Sequence, residues 1–279
     1  FLPDGRLAAC FHRGELYTYN PKTKIWKLFA DGLHEPLGII AEDNHTLVVM
    51  QRPELTRLRD TDSDGEADHY QTISDDFGMT GNYHEFAFGP ARDKDGYYYV
   101  GLNLASSGAS IRPEIRGEFR HYGITREQFY KNHRAGSGRM YSATPYRGWI
   151  MKIAPDGKTT PFASGFRSPN GVNFDAQGRL WATDNQGDWL GTSKLFHVKE
   201  NNFHGHPASL VWTDSWKKGR NPLKVPPAEF DAKRTRAAVL FPHGSMANSP
   251  SQPSSDSTSG KFGPFAGQLL VGEMNRARI

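Results

Sequence analysis

The sequence predicts an all-β fold, a β-propeller of six blades cut off at both ends, on three observations. Turn formers are abundant, with 29 Gly and 18 Pro in 279 residues, a composition that suits many short strands. One segment is repeated: Phe29-Ala30-Asp31-Gly32-Leu33-His34-Glu35-Pro36-Leu37-Gly38-Ile39 recurs 133 positions later as Phe162-Ala163-Ser164-Gly165-Phe166-Arg167-Ser168-Pro169-Asn170-Gly171-Val172. A strand–turn–strand unit also appears five times, around Gly5, Asn44, Gly96, Gly178 and Gly267. Self-similarity of this kind marks a fold built from repeated supersecondary units.

The elements follow in chain order. Phe1-Leu2-Pro3-Asp4-Gly5-Arg6-Leu7 opens inside a strand pattern without a starting Met, and Val271 to Ile279 reads as one strand running into the next. Both ends read as cuts, so the expectation is a single incomplete propeller domain over residues 1–279, with a sixth unit completed by what the cuts removed. The first copy of the repeat leads into a turn at Asn44 and the apolar strand Leu47-Val48-Val49-Met50. The second leads into Val172-Asn173-Phe174, the turn Asp175-Ala176-Gln177-Gly178, and the strand Arg179-Leu180-Trp181-Ala182-Thr183. Asp-Gly and Gln-Gly turns between alternating strands signal hairpins, because Gly accepts the positive φ such turns require. A β-sandwich is the structural alternative, but it lacks a repeated Gly-x-x-x-Pro lead-in such as Gly32 to Pro36 and Gly165 to Pro169.

Two segments fall outside the repeat. Leu104 to Arg147 is a long insertion carrying Arg112, Arg116, Arg120, Arg126, Arg134, Arg139 and Arg147, with a short capped helix expected to start in Thr125–Tyr130. It is either a lid over a central cavity or a plain surface loop. Ser245 to Ser259, rich in Ser and Pro, reads as an irregular surface connection.

Composition removes some functions. The longest apolar runs are as short as Leu47–Met50, whereas a membrane span needs about 20 apolar residues. Cys10 is the only cysteine, so no internal disulfide forms. A net charge of +4 fits either an acidic partner or an ordinary soluble surface. No motif points to nucleic acid.

The sharpest motif is Asp60-Thr61-Asp62-Ser63-Asp64-Gly65-Glu66-Ala67-Asp68. Carboxylates at alternate positions converge when the chain curls, and Gly65 permits the bend. Asp60, Asp62, Asp64, Asp68 and the Glu66 carbonyl then present hard oxygen ligands in a number that suits Ca2+. Gln71 stands where an EF-hand carries its closing Glu, so the loop resembles the dockerin or thrombospondin type. The other constellation is Gly165 to Gly171 followed by Thr183-Asp184-Asn185-Gln186-Gly187-Asp188. In a propeller, loops entering the innermost strands line the central funnel. There Arg167 holds an anionic or carbonyl group, or else pairs between blades, and Asp184 accepts a proton or a metal.

Arg167-Ser168-Pro169-Asn170-Gly171, the Gly178 hairpin, Gln186-Gly187, Lys194-Leu195-Phe196-His197-Val198 and Asn202-Phe203-His204-Gly205-His206-Pro207 together resemble the soluble quinoprotein glucose/sorbosone dehydrogenase superfamily. The whole chain is similar to a branch of it from planctomycetes and relatives, described as membrane-bound dehydrogenases. The aspartate loop, Gly81 to Pro90 and Gly263 to Leu269 share in that resemblance. It implies a six-bladed, secreted or periplasmic propeller using Ca2+ and pyrroloquinoline quinone on a carbohydrate, with a haem-binding domain farther along many parent chains. Arg167 matches the family's arginine near the quinone, with Ser168 where the family has Asn. Gly187 and Asp188 match the successive backbone carbonyls that hold the cofactor calcium. The family's catalytic His falls on Gly81, with His84 three residues later, either as the base at a different angle or as a packing residue. A Lys that pairs a quinone carboxylate falls on Asn275.

Three functions remain open. One is a quinone-dependent sugar or polyol oxidoreductase with His84, Arg167 and Asp184 as catalytic residues and Arg167, Gly187 and Asp188 binding the cofactor. Another is a non-catalytic propeller that binds a glycan beneath a basic lid. The third is a lactonase-like hydrolase with a metal on Asn170, Asp184 and Glu35 or Glu85.

Overall fold

The computed structural model describes residues 1–106, 115–121, 125–127, 140–217, 220–275, 277 and 279. Arg112, Arg134 and Arg139 of the insertion, and the helix expected over Thr125–Tyr130 beyond Glu127, lie outside these residues.

Strands dominate, and every strand pairing described residue by residue is antiparallel. The first sheet is β1 (Leu7–Cys10), β2 (Leu16–Asn20) and β3 (Ile25–Ala30), in that order. The next has β4 (Gly38–Ala41), β5 (Thr46–Met50), β6 (Leu55–Arg59) and β7 (His69–Ser74), again in sequence order. Another is ordered β13-β12-β10-β9, from β9 (Ala87–Arg92), β10 (Tyr98–Leu102), β12 (Trp149–Ile153) and β13 (Thr159–Ser164). The last four-stranded sheet runs β14 (Pro169–Phe174), β15 (Leu180–Asp184), β16 (Ser193–His197) and β17 (Val239–Phe241). Two-stranded pairs join β8 (Met79–Thr80) to β11 (Ile115–Arg116), and β18 (Ser254–Ser255) to β19 (Leu269–Leu270). The α-helix α1 is one turn, Pro227–Asp231, and a 3-10 helix spans Pro207–Trp212. Meandering four-stranded antiparallel sheets of this kind are propeller blades.

The chain divides into two compact units: Phe1–Asp76, Ala87–Val100 and Ile153–Thr159 form one, and Phe77–Phe86, Gly101–Lys152 and Thr160–Ile279 the other. In the first, the apolar run that makes up β5 is buried on both faces. Leu16, Phe29, Leu47, Val49 and Leu58 form its core, with Ile39, Ala41 and Ala67 packed on them. Each fully buried Leu or Val side chain there stabilises the fold by about 1.5–3 kcal/mol. The outer strand β7 is polar and exposed along His69–Thr72, which guards an open sheet edge. In the second unit, Phe166 meets Phe196 edge-on at 5.8 Å and stacks on His204 at 4.5 Å.

The repeated segment has one structural meaning in each unit. Phe29 and Phe162 lie in the last strand of a sheet (β3 and β13), and Gly38 and Gly171 lie in the first strand of the next (β4 and β14). Gly38 and Gly171 are required by close approach: a Cβ would lie 1.7 Å from the Gly89 carbonyl oxygen and 2.3 Å from Gln252 Cα, respectively. Of the five expected turns, Asn44, Gly96 and Gly178 join β4–β5, β9–β10 and β14–β15. Gly5 turns the chain into β1 with no strand before it, and Gly267 lies in the longer connection from β18 to β19.

Candidate functional site

The site is built on the β14–β15–β16 meander. Asp184 ends β15, and its register partner on β16 is Lys194. Both are buried, at 2% and 3% exposure. Asp184 Oδ2 accepts from Lys194 Nζ at 3.0 Å, and Oδ1 accepts from the N–H groups of Arg167 (3.1 Å) and Ser168 (2.6 Å). Lys194 Nζ also donates to the Asn185 carbonyl at 2.6 Å. The Asp184 carboxylate is thus engaged by a cation and two peptide donors, an arrangement that fixes the Arg167–Ser168 backbone. From the other side, the Leu104 N–H donates to the Arg167 carbonyl at 2.9 Å.

Arg167 is held by its backbone, and its side chain is buried against Gly187. Its Nε is buried with no hydrogen-bond partner among the described residues. Burial pulls the guanidinium below its ordinary range, against the opposing charges of Asp184, Asp188 and Tyr83. Gly187 allows this packing: a Cβ there would lie 3.1 Å from Arg167 Cγ and 3.3 Å from His206 Cδ2. Asp188, on the exposed side, accepts from the Met140 N–H at 2.7 Å.

His84 falls within the field of Arg167. Burial, reinforced by the Arg167 charge, lowers its pKa to about 4, so the imidazole is neutral at neutral pH. The backbone N–H of His84 donates to Asn82 Oδ1 at 3.0 Å, and the ring Nδ1 is buried without a partner among the described residues. Arg167, Asp184 and Gly187 lie together, the charge of Asp188 acts on Arg167, and His84 feels the charge of Arg167.

Three further features of the surroundings emerge from the structure. Asn103, 1% exposed, donates through Nδ2 to Ser168 Oγ at 2.7 Å, and Ser168 Oγ donates to Asn170 Oδ1 at 3.0 Å. Lys194 was legible only through the register of the Asp184 hairpin. Arg147 and Glu85 are both fully buried with Nε and Oε2 3.9 Å apart, and Arg147 also donates to the carbonyls of Gly78, Glu85 and Phe86. The described arginines of the insertion have local partners. Arg116 donates to the Phe77 carbonyl at 2.9 Å, while Arg120 pairs with Glu118 and lies 4.8 Å over the Trp212 ring.

Of the hydrolase ligands considered, Glu35 pairs with Arg52 at 3.0 Å, Glu85 Oε2 accepts from the Thr80 N–H at 2.5 Å, and Asn170 accepts from Ser168. Among the described residues, the group of three or more acidic, His or Cys ligands that converges is Asp60, Asp62 and Asp64.

That group belongs to the loop joining β6 to β7. One carboxylate oxygen from each of the three lies within 4.8 Å of the others. Asp60 is 5% exposed; its Oδ2 accepts from the Gly65 N–H at 3.0 Å and lies 3.1 Å from His45 Nδ1. Burial works to raise its pKa, but hydrogen bonds from His45, Gly65 and Ser63 outweigh it and hold the carboxylate ionised. Its Oδ1 is buried without a partner among the described residues, a lone acceptor that a hard cation would satisfy. Gly65 takes the positive φ of 92° that closes the loop, and Lys27 Nζ donates to the Asp64 carbonyl beside it. Asp68 is turned to Thr61, accepting from its Oγ1 at 2.7 Å, and Glu66 is exposed.

Solved structures with the same fold identify the architecture as a β-propeller. The PQQ-bound form of aldose sugar dehydrogenase from Streptomyces coelicolor matches with 15% identity and a TM-score of 0.54, over 90% of this chain and 69% of that one. A glucose dehydrogenase matches at 13% identity and a TM-score of 0.60, over 99% and 79% of the two chains. The holo form of the pyranose dehydrogenase PQQ domain from Coprinopsis cinerea matches at 14% and 0.58, over 91% and 66%. At these identities the likeness is one of fold. By sequence, the chain belongs to the family described as Domain of unknown function (DUF7133), whose model matches residues 23–208. No curated protein matches it.

Proposed function

We propose that this chain is the propeller of a secreted or periplasmic oxidoreductase that oxidises a sugar or polyol with pyrroloquinoline quinone and Ca2+. The observation that carries this reading is a neutral imidazole in the field of a buried cation: His84, with a pKa of about 4, and Arg167, with His84 Nδ1 and Arg167 Nε both buried and unpartnered among the described residues. A quinone would be held by Arg167, and its calcium by the Gly187 and Asp188 carbonyls. The quinone supplies a two-electron acceptor for the hydride leaving the sugar C–H. His84 Nδ1 takes the hydroxyl proton, and Arg167 stabilises the negative charge that develops beside it. Asp184, Lys194 and Asn103 act as positioning residues that fix the peptide carrying Arg167. Gly81 and Asn275 provide neither of the two further contacts that the resemblance implies, so the assignment rests on His84 and Arg167. Electrons leave to an acceptor such as a haem-binding domain of the same parent chain.

The aspartate loop holds a separate, structural Ca2+ on Asp60, Asp62, Asp64 and the Glu66 carbonyl, with Asp68 joining by exchanging Thr61 for the ion. Its support is the convergence of three carboxylates, with Asp60 Oδ1 buried and unpartnered among the described residues.

The test uses the chain reconstituted with calcium and the quinone, with dye reduction measured across aldoses and polyols. Arg167→Ala is expected to lower the rate about 100- to 1,000-fold, the range for losing one charge-stabilising donor. His84→Ala should lower it with little change in quinone affinity. No quinone binding by direct titration in calcium would overturn the reading.

A further inference from the structure

The reaction proposed above gives no role to Tyr83, the aromatic residue that stands beside its base. The Tyr83 ring centroid lies 4.9 Å from that of the His84 imidazole, with the two planes inclined at 34°, and Phe86 meets the same imidazole edge-on at 6.4 Å. Tyr83 also lies within the electrostatic reach of Arg167. Yet the residue is 57% exposed. With one face of the ring turned to the imidazole, the surface it offers to solvent is the opposite face and the phenol edge.

A fixed backbone presents this ring. Tyr83 and His84 form a turn between Asn82 and Glu85, both fully buried. Asn82 Oδ1 accepts from the N–H groups of His84 (3.0 Å) and Ser106 (3.1 Å), and Nδ2 donates to the Ser106 carbonyl at 2.8 Å. On the other side, Glu85 Oε2 accepts from the Thr80 N–H at 2.5 Å, and the Glu85 N–H donates to the Asn82 carbonyl at 3.2 Å. The turn is closed on itself and tied at both ends to buried polar groups. A scattered exposed apolar residue needs no explanation, but this one is stacked on the proposed base and held in place. An aromatic face held in this way gives a ligand contact area at little cost in ordering.

Two chemical requirements meet at this turn. A base at His84 needs a hydroxyl on the carbon that loses the hydride. The face of an aromatic ring is the negative side of its quadrupole and attracts positively polarised C–H groups. A cyclic sugar meets both, because ring closure gathers its C–H groups on one face while its hydroxyls point outward. An open-chain polyol carries the same groups but must be frozen to line them up. We propose that Tyr83 is a specificity-determining residue of the site: its outer face receives the C–H face of a cyclic sugar and sets it beside His84, favouring ring sugars over open-chain polyols. The part played by His84 rests on the dehydrogenase reading, whereas the contact with Tyr83 forms without the quinone.

The test has two arms. Without quinone, the chain is titrated with methyl β-glucopyranoside and with glucitol while the Tyr83 ring resonances, assigned by their loss in Tyr83→Ala, are followed. With quinone and calcium, dye reduction gives kcat and KM for glucose and glucitol. The pyranoside is expected to shift the Tyr83 resonances saturably, and glucitol at the same concentration to leave them in place. Tyr83→Ala should raise KM for glucose about tenfold more than for glucitol, with the change in KM rather than kcat, and Tyr83→Phe, which keeps the ring face, should restore the preference. A chain that binds no quinone but still answers the pyranoside through Tyr83 loses the dehydrogenase reading and keeps this contact. Tyr83 resonances unmoved by the pyranoside, or moved equally by glucitol, overturn the inference even where the quinone binds and sugars are oxidised, and so does an unchanged glucose KM in a folded Tyr83→Ala chain.

Discussion

Replacing Asp184 with Asn tests whether this residue is a scaffold for Arg167. In the native site its carboxylate neutralises Lys194, 3% exposed, across 3.0 Å and accepts from two peptide N–H groups. An Asn can keep the peptide N–H donors on Oδ1, but its Nδ2 then faces the Lys194 ammonium, donor against donor. The lost stability therefore concentrates on a buried cation without its counterion, and such truncations cost about 3–5 kcal/mol. At roughly 2–4 °C per kcal/mol for a chain of this size class, Tm should fall by about 10 °C. Adding Lys194→Met removes the stranded charge and should recover most of the loss, giving a coupling of about 2 kcal/mol or more between the two positions. Melting followed by tryptophan fluorescence measures all three variants and the wild type. A single variant melting within about 2 °C of wild type, or a double variant no better than the single, would refute the reasoning.

Acid should begin to weaken the fold above the ordinary carboxylate range. Burial lowers the pKa of His204 to about 4 from the ordinary histidine value of 6.5. The unfolded chain therefore takes up the proton first, and the His204 contribution, complete above pH 6.5, is lost as pH falls towards 4. It amounts to about 3 kcal/mol, with a smaller, partly screened addition from His84. Urea midpoints that do not move between neutral pH and pH 4.5 would count against this, and His204→Phe should flatten the profile. Calcium should raise Tm in the wild type, by about 2.7 kcal/mol of stability at 100 times the dissociation constant, and should leave Asp62→Ala/Asp64→Ala unchanged. Identical wild-type melting in calcium and in chelator would show that the aspartate loop holds no ion.

The turns and the repeat were legible because their causes are local. Gly178 turns β14 into β15 with a φ of 75°, which few other residues tolerate. The aspartate loop was legible for the same reason, since alternate carboxylates within five residues converge once Gly65 bends the chain. Asp68 was the exception: a neighbouring hydroxyl, Thr61 Oγ1, competes for it at 2.7 Å. The arginine-rich insertion was also less legible, because a run of cations does not reveal that Arg116 and Arg147 will be taken up by backbone carbonyls.

The sequence by itself determined the all-β class, the places where the chain turns, the repeated lead-in to β4 and β14, and the convergence of Asp60, Asp62 and Asp64. Each of these follows from backbone conformation or from residues close together in the chain. Only the tertiary structure decided that Asp184 is occupied by Lys194, that Asn103 reaches Ser168 across 65 residues of chain, and that His84 shares the field of Arg167. Hydrogen bonding and charge act at distances of a few ångströms, and it is strand register and packing that bring such distant residues within that range.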